Sequence, residues 1–545
     1  MNYSQESLER IEKVKNLKIA WINPYANKFD KKNSLEDLKN LSEDKIWNFA
    51  DVNFLMEKWA KNDFCTAWRM MMFRTHWKLS FAKIKDFSWE LQISFVRDKV
   101  KLVSWNWEDK KTLEEIKVWE NTYTAYKFIE KIIDIWDFVW VSWEMFVTKH
   151  WEKTLFVNEV QILSKAIRPL PEKFHWMADQ DTIYRQRYLD LTMNEESYQN
   201  AVLRTKLLKS IRQFYWKNDF MEIETPVLWN SASWAAAKPF VTHHNDFDQD
   251  FFLRIAPETS LKMATAWRFE RVFEIWKNFR NEWSDPTHMQ EFTAVEHYAA
   301  WWNFEDNMKF TEEMFTNIFA DLKISKEINV KDKDWEWKIV DFWKKFERID
   351  YIEWVKKESW IDISEFWPED EDKFRDLIKS KWYQFEWMDK MATATMIDYL
   401  YKKVLRPKIL WPAFVYNYPK TMQPLARQSD ADVWIVEQFQ MVVNGHEILK
   451  AYSELVDPSI QKENFDAQWG ALERWDDEAT AWDDDFLLAM EHWMPCQSGW
   501  WMWIDRIVGI LTEQDNLRDT VLFPLMKPIL TNEEIEEKNA EKKNK

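Results

Sequence analysis

The sequence predicts an α+β protein: a small N-terminal β-barrel, then a larger domain built on an antiparallel sheet flanked by helices. Three observations carry this. Short alternating segments recur between residues 64 and 165, among them 69–74, 78–84 and 91–96, and regular short strands suit a small barrel. The stiff phrase Arg168-Pro169-Leu170-Pro171-Glu172-Lys173 then reads as a domain boundary. Beyond it, alternation on both sides of a polar loop, at 271–275 and 291–298, reads as an antiparallel hairpin. The predicted divisions are a helical extension over 1–60, the barrel over 61–167, the larger domain over 168–530 with an insertion at about 331–384, and a charged tail over 531–545.

The elements follow in order. Leu8, Ile11, Val14 and Leu17 recur at helical spacing, and Asn23-Pro24-Tyr25 ends that helix. Exposed aromatic and basic residues on the barrel strands fit an oligonucleotide-binding OB-fold. Residues 199–217 are strongly helical and lead into an alternating stretch, 220–228. His243 and His244 are adjacent, so on a strand they face opposite sides and do not form a metal pair. The charged stretch 331–384 contains Pro368-Glu369-Asp370-Glu371-Asp372, a solvated loop or helix start. Residues 434–457 return to strands and carry Glu447 and Tyr452-Ser453-Glu454, and 470–485 is acidic and loop-like. An apolar run, 507–511, closes the pattern as an amphipathic helix with Asp505-Arg506 at its head.

Bulk properties exclude some classes. With 75 basic and 93 acidic residues the net charge is −18, which does not suit a protein that coats nucleic acid nonspecifically, although a local basic face remains possible. Cys65 and Cys496 are too few for a disulfide framework or a Cys-based zinc site. No signal-peptide core or uncharged membrane-length run occurs, so a reducing cytoplasm and no membrane partner are expected.

Composition raises a separate point. The 545 residues include 39 Trp and 4 Gly. Together these make about 8% of the chain, close to the ~7% usual for Gly alone. Trp77, Trp89, Trp151 and Trp283 stand beside turn-like residues, where Gly serves and Trp does not. The pattern suggests UGA codons that mean glycine in the source and are written here as tryptophan. Glycine is expected at Trp283, Trp501, Trp503 and most other Trp positions. Trp500, Trp301 and Trp302 are expected to be genuine.

Several phrases resemble one family. Gly499-Trp500-Trp501-Met502-Trp503-Ile504-Asp505-Arg506 resembles motif 3 of class II aminoacyl-tRNA synthetases, which reads Gly-Trp-Gly-Met-Gly-Ile-Asp-Arg in some lysine enzymes. Phe279-Arg280-Asn281-Glu282 with Glu291-Phe292 resembles motif 2, and 199–228 resembles motif 1, which forms the family's dimer interface. Trp21-Ile22-Asn23-Pro24-Tyr25 and the run from Ala67 to Ala82 resemble the start of the anticodon domain of the lysine enzymes. Over roughly 15–530 the chain is identified as a member of the bacterial-type class II lysyl-tRNA synthetases.

The resemblance implies a class II catalytic domain that activates L-lysine with ATP and transfers it to tRNA(Lys), using Mg²⁺ and working as a homodimer. It places Arg280 on the α-phosphate, Glu282 on the adenine amino group, His288 near the phosphates, and Phe292 and Arg506 on the two faces of adenine, with Glu447 on Mg²⁺. Glu258, Glu296, Tyr298, Tyr452 and Glu454 would bind lysine; Phe81 would stack on an anticodon base and Gln92 read a base edge. From spacing alone, Phe81 is equally a core aromatic. This division of labour suits the chemistry: fixed cations for a triphosphate, a flat slot for adenine, and acceptors around an ammonium, with no general base because a carboxylate is the nucleophile.

The chain departs from the family in places. Gln440 stands where a Mg²⁺-binding Glu is usual, and a neutral amide is a weaker ligand for a hard cation. Lys450 replaces an Asn, Leu449 a Gly, Thr287 an Arg of the motif 2 loop, Lys238 an Arg, and Met289-Gln290 an Asn-Pro. Competing readings are an aspartate or asparagine enzyme, which Glu454 and Glu296 argue against, and a synthetase-like protein modifier, which would lack the barrel. Taken literally, the Trp content would suit a noncatalytic aromatic binding protein.

Overall fold

The computed structural model describes residues 3–529 apart from 28, 30, 48–63, 77–78, 107–108, 172–178, 231–236, 367–369, 386–387, 424 and 473–483. The expected tail, Trp77, the 60/61 boundary, Pro368-Glu369 and most of the acidic 470–485 stretch lie outside the described residues. The chain forms two units, Met1–Ala178 and Asp179–Lys545.

In the first unit, helix α1 (Gln5–Ile19) starts at Ser4, whose side chain accepts from the Ser7 N–H. The helix forms as predicted, but its buried face is not. Ser7, Arg10, Val14 and Leu17 face inward and Leu8 is half exposed, because Arg10 donates to the carbonyls of Ile135 and Ala166 at 3.2 and 3.3 Å.

Strands β1 (Phe64–His76), β2 (Leu79–Lys85), β3 (Glu90–Val96), β4 (Lys101–Asn106), β5 (Asp109–Leu113), β6 (Phe138–Val147) and β7 (Lys153–Ser164) pair in the order β3-β2-β1-β6-β7-β4-β5, and β3 also pairs with β7. That last pairing closes five strands into an OB-type barrel. Ala82 and Ile84 point into its core, so the period of two puts Phe81 and Lys83 on the other face. Phe81 is therefore half-buried on the outer surface and is not a core aromatic. Gln92 lies opposite Lys83 on the same face, its amide donating to Thr154 Oγ1 at 2.9 Å.

In the second unit, eight strands form one sheet: β8 (Met221–Glu222), β9 (Arg271–Phe279), β10 (Glu291–Ala300), β11 (Glu347–Asp350), β12 (Ala413–Pro419), β13 (Ile435–Val443), β14 (His446–Ser453) and β15 (Gln497–Trp503). Their order is β8-β9-β10-β15-β14-β13-β12-β11, antiparallel except for the two edge pairs. Two findings differ from the sequence reading. Strand β11 lies inside the stretch read as an insertion yet completes the sheet edge. Of the alternating 220–228 stretch, only Met221–Glu222 and Leu228 pair as strand. The helix start expected at Glu371-Asp372 is present, as a helix over Glu371–Ser380.

Helices α2 (Glu195–Lys217) and α3 (Phe304–Leu322) cover one face of the sheet, burying Leu207, Ile211, Phe214, Phe310, Met314 and Ile318 against its inward side chains. Helix α4 (Ile504–Leu511) continues directly from β15, with Ile504, Ile507 and Val508 in the same core.

Candidate active site

Strand β10 shows how the sheet separates structure from chemistry. Val295, His297 and Ala299 face the helices; Phe292, Ala294, Glu296 and Tyr298 face the other way. His297 is fully buried, bonded to Tyr215 Oη at 2.9 Å and Asn307 Oδ1 at 2.8 Å, and burial pushes its pKa down to about 3. Trp500 stacks on it at 5.1 Å and donates from Nε1 to Thr311 Oγ1 at 2.8 Å. An indole with a bonded N–H in a packed core fits its surroundings.

On the opposite face, the rows of the sheet assemble two groups of residues. Tyr452, Gly499 and Tyr298 are successive cross-strand partners on β14, β15 and β10. A Cβ on Gly499 would collide with Glu454 Oε1 and stand 2.6 Å from Tyr298 Cε1, so the bare Cα is what lets these groups converge. Tyr298 donates to Glu296 at 2.6 Å and Tyr452 to Glu258 at 2.5 Å. Burial pushes the Glu454 carboxyl up to about 8 against the pull of Lys262, and burial followed by Glu258 holds Glu296 well above the usual carboxylate range.

All five residues expected to bind lysine thus stand together, and with them stands one that sequence reasoning missed. Lys262 Nζ lies 2.7 Å from Glu258 and 2.6 Å from Glu454, with only 3% of its side chain exposed. Its i+4 spacing from Glu258 on a helix was the available signal.

The second group begins one row further along the sheet. The Phe292 and Trp503 rings are 4.3 Å apart, and Arg506 Cζ lies 4.3 Å over the Trp503 ring. The indole of Trp503 is therefore sandwiched between the two groups expected to sandwich adenine. Trp501 packs beside it at 4.7 Å. Arg280 lies within 5.3 to 5.6 Å of the Phe292, Trp501 and Trp503 rings, and its guanidinium makes no hydrogen bond or ion pair among the described residues.

Arg506 donates to the Glu447 carbonyl at 2.6 Å and meets His288 Nε2 at 3.4 Å; His288 in turn pairs with Asp285 at 2.9 Å. Burial pushes the Arg506 pKa down to about 10. Asp505 is structural: it pairs with Arg204 of α2 at 2.6 Å and accepts from the Thr293 N–H at 2.7 Å, fixing β15 and α4 against the sheet. Glu282 is exposed, and it is the first of the carboxylates whose charge acts on Arg280.

The expected metal residues form a poor cation site. Glu447 has Arg406 Nη1 3.9 Å from its carboxylate, and the Gln440 amide oxygen accepts from Tyr418 Oη at 2.8 Å. Among the described residues, no group of three or more His, Cys, Asp or Glu could hold a metal ion.

Residues 179–527 match the family described as tRNA synthetases class II (D, K and N). Similar curated proteins include the lysine–tRNA ligase of Aquifex aeolicus, 38% identical over 85% of this chain and 72% of the relative. That of Campylobacter jejuni is 37% identical over 96% and 97%, and that of Thermosipho africanus 35% identical over 96% and 97%. The chain belongs to the lysine–tRNA ligase family of class II synthetases. Within that family, the group around Gly499 is the candidate amino-acid pocket and the group around Arg280 the candidate nucleotide slot. Among the described residues, no helix is long and apolar enough to cross a membrane.

Proposed function

We propose that the chain activates L-lysine with ATP to lysyl-adenylate and transfers the lysyl group to the 3′ end of tRNA(Lys). The observation that carries this is the charge layout of one sheet face. Three carboxylates, Glu258, Glu296 and Glu454, crowd around one resident ammonium, Lys262, while the guanidinium of Arg280, a short distance away, makes no ion pair among the described residues. The first group suits a substrate with two ammonium groups; the second suits a polyanion. An acidic substrate such as aspartate would meet repulsion from the same carboxylates.

In the first step a lysine carboxylate oxygen attacks the α-phosphorus of ATP and pyrophosphate leaves. In the second, a terminal ribose hydroxyl oxygen of the tRNA bonds to the lysyl carbonyl carbon, the bond from that carbon to the phosphate oxygen breaks, and AMP leaves with the hydroxyl proton. Arg280 neutralises charge on the α-phosphate, Phe292 and Arg506 clamp adenine, and Glu454 with Tyr298 holds the side-chain ammonium. ATP is the substrate, and Mg²⁺ enters with it; Glu447 and Gln440 do not fit a metal held by the protein alone. On the outer face of the barrel, Phe81 and Gln92 read the anticodon. Exposed Met221, Val227 and Leu228 beside α2 support a homodimer through this region, which sedimentation would check.

The glycine reading of the tryptophans has its own support. Sixteen described non-glycine residues have positive φ, and nine are Trp, where the Trp frequency would give about one. Trp119, Trp151 and Trp335 sit in hairpin turns, and Trp360 is a left-handed helix C-cap with φ 61°. Trp301 belongs with them at φ 69°, against the expectation that it needs no Gly, whereas Trp302 packs against Phe220 and Phe310. Trp283 is 93% exposed without positive φ, so its backbone asks for nothing special. Peptide masses from protein made in its source decide the matter; Trp at 501 or 503 would sink it. Pyrophosphate exchange that depends on lysine tests the ligase reading, and Arg280→Ala should remove most of it. Near-normal exchange in that variant would overturn the slot assignment.

A further inference from the structure

At the candidate nucleotide end, Arg280, Arg406, Lys450 and Arg506 all feel the charge of one carboxylate, Glu447. Gln440 and Lys450 are direct cross-strand partners on β13 and β14, and Trp501 is the next partner on β15, so all three side chains leave the same face of the sheet. The Gln440 oxygen is committed to Tyr418 and offers a hard cation no charge. Lys450 is partly buried, its Nζ donating to Gln423 Oε1 at 2.6 Å and lying 5.6 Å from the Tyr452 ring centroid. After desolvation, the charge that acts most on this ammonium is Glu447. Arg406 also approaches Glu447, at 3.9 Å.

One carboxylate with two cations around it repels a divalent ion, which seeks several oxygen ligands at least partly anionic. The same arrangement leaves a net positive field, with Arg280 and Arg506 close by, for the phosphate oxygens. We infer that the ammonium of Lys450, facing Gln440 across the strand pair, takes the place of a protein-held divalent cation beside Glu447, so that this chain carries part of its phosphate-neutralising charge covalently. An ammonium there supplies one charge and directional donors without needing anionic ligands from the protein.

This rests on reading the Arg280 group as the nucleotide slot, but the test uses neither ATP nor lysine, so its failure and that of the ligase reading are distinguishable. Mn²⁺ is titrated into the full chain and the free ion read by its electron paramagnetic resonance signal. The unaltered chain should show no binding at this position tighter than about 1 mM, as expected of a single carboxylate flanked by cations. Lys450→Asn should tighten Mn²⁺ binding about tenfold, and Lys450→Asn with Gln440→Glu about a hundredfold, to one ion per protomer that Glu447→Gln removes again. Tight binding by the unaltered chain that Glu447→Gln abolishes would overturn the inference, a result that needs no Lys450 variant to fold. So would a double variant with the parent's circular dichroism and melting that gains no ion.

Discussion

Three alternate positions on strand β15, Gly499, Trp501 and Trp503, show opposite outcomes. At Gly499 the missing side chain lets Glu454, Tyr298 and Tyr452 close around a point where an ammonium can sit. At Trp501 and Trp503 the side chains fill the space their neighbours enclose, and Trp503 lies between Phe292 and Arg506 as a flat base would. One end of the site is thus assembled and the other is occupied by the chain itself. On this strand, the face that would lie under a ligand is open only where the side chain is missing.

The largest expected effect comes from removing that difference. Trp501→Gly with Trp503→Gly should raise ATP affinity from undetectable into the ~1 μM to 1 mM range usual for enzyme substrates, by calorimetry. Unchanged ATP binding would mean that the indoles are not the obstruction.

Next in size is the charge of the assembled end. Glu454→Gln should weaken lysine binding by about 2–5 kcal/mol, as for a buried charged pair that loses a partner, and should leave ATP affinity nearly unchanged. The Glu454 carboxyl, at about 8, titrates far above its ordinary value. In the ligand-free chain this contributes stability that is full at low pH and lost as pH rises through 8. An incoming ammonium prefers the ionised form, so lysine affinity should rise about tenfold per pH unit up to about 8 and then level off. Glu454→Gln should flatten this profile; a slope that persists in the variant would assign it to another group.

A smaller change sharpens the comparison at Gly499. Gly499→Ala should cost about 1–3 kcal/mol in lysine affinity, because its methyl group meets Glu454 and Tyr298 in a packed site. Normal lysine binding by that variant would show that the pocket opens elsewhere. Smallest are the turns: Trp151→Gly and Trp360→Gly should each stabilise their unit by about 1–2 kcal/mol, the strain of a bulky residue in the left-handed region. Denaturant melts read this directly, and destabilisation would mean the indoles make compensating contacts.

Alternation and spacing determined much by themselves. Period two around 271–298 yields the β9–β10 hairpin because one face of those strands is buried and the other is not. The order of Arg280, Phe292, Glu447, Glu454 and Arg506 marked the candidate site because each belongs to a phrase that resembles the family. The excess of Trp at glycine-like turns was also legible, since the demand for positive φ is a local property of the backbone.

Tertiary structure decided the rest, wherever the answer depended on what a side chain meets from distant parts of the chain. Arg10 rather than Leu8 turned inward because its guanidinium bonds the carbonyls of Ile135 and Ala166, which flank the barrel strands. Glu347–Asp350 joined the sheet because an edge was open to it, which no local pattern records. Phe81 was settled only by the register that turned Ala82 into the barrel core. Lys262 went unnoticed in the sequence, and Lys450 showed there only as a departure from the family. Only packing put one between two carboxylates and the other opposite a neutral amide, because burial and pairing are properties of the assembled sheet and not of the residue.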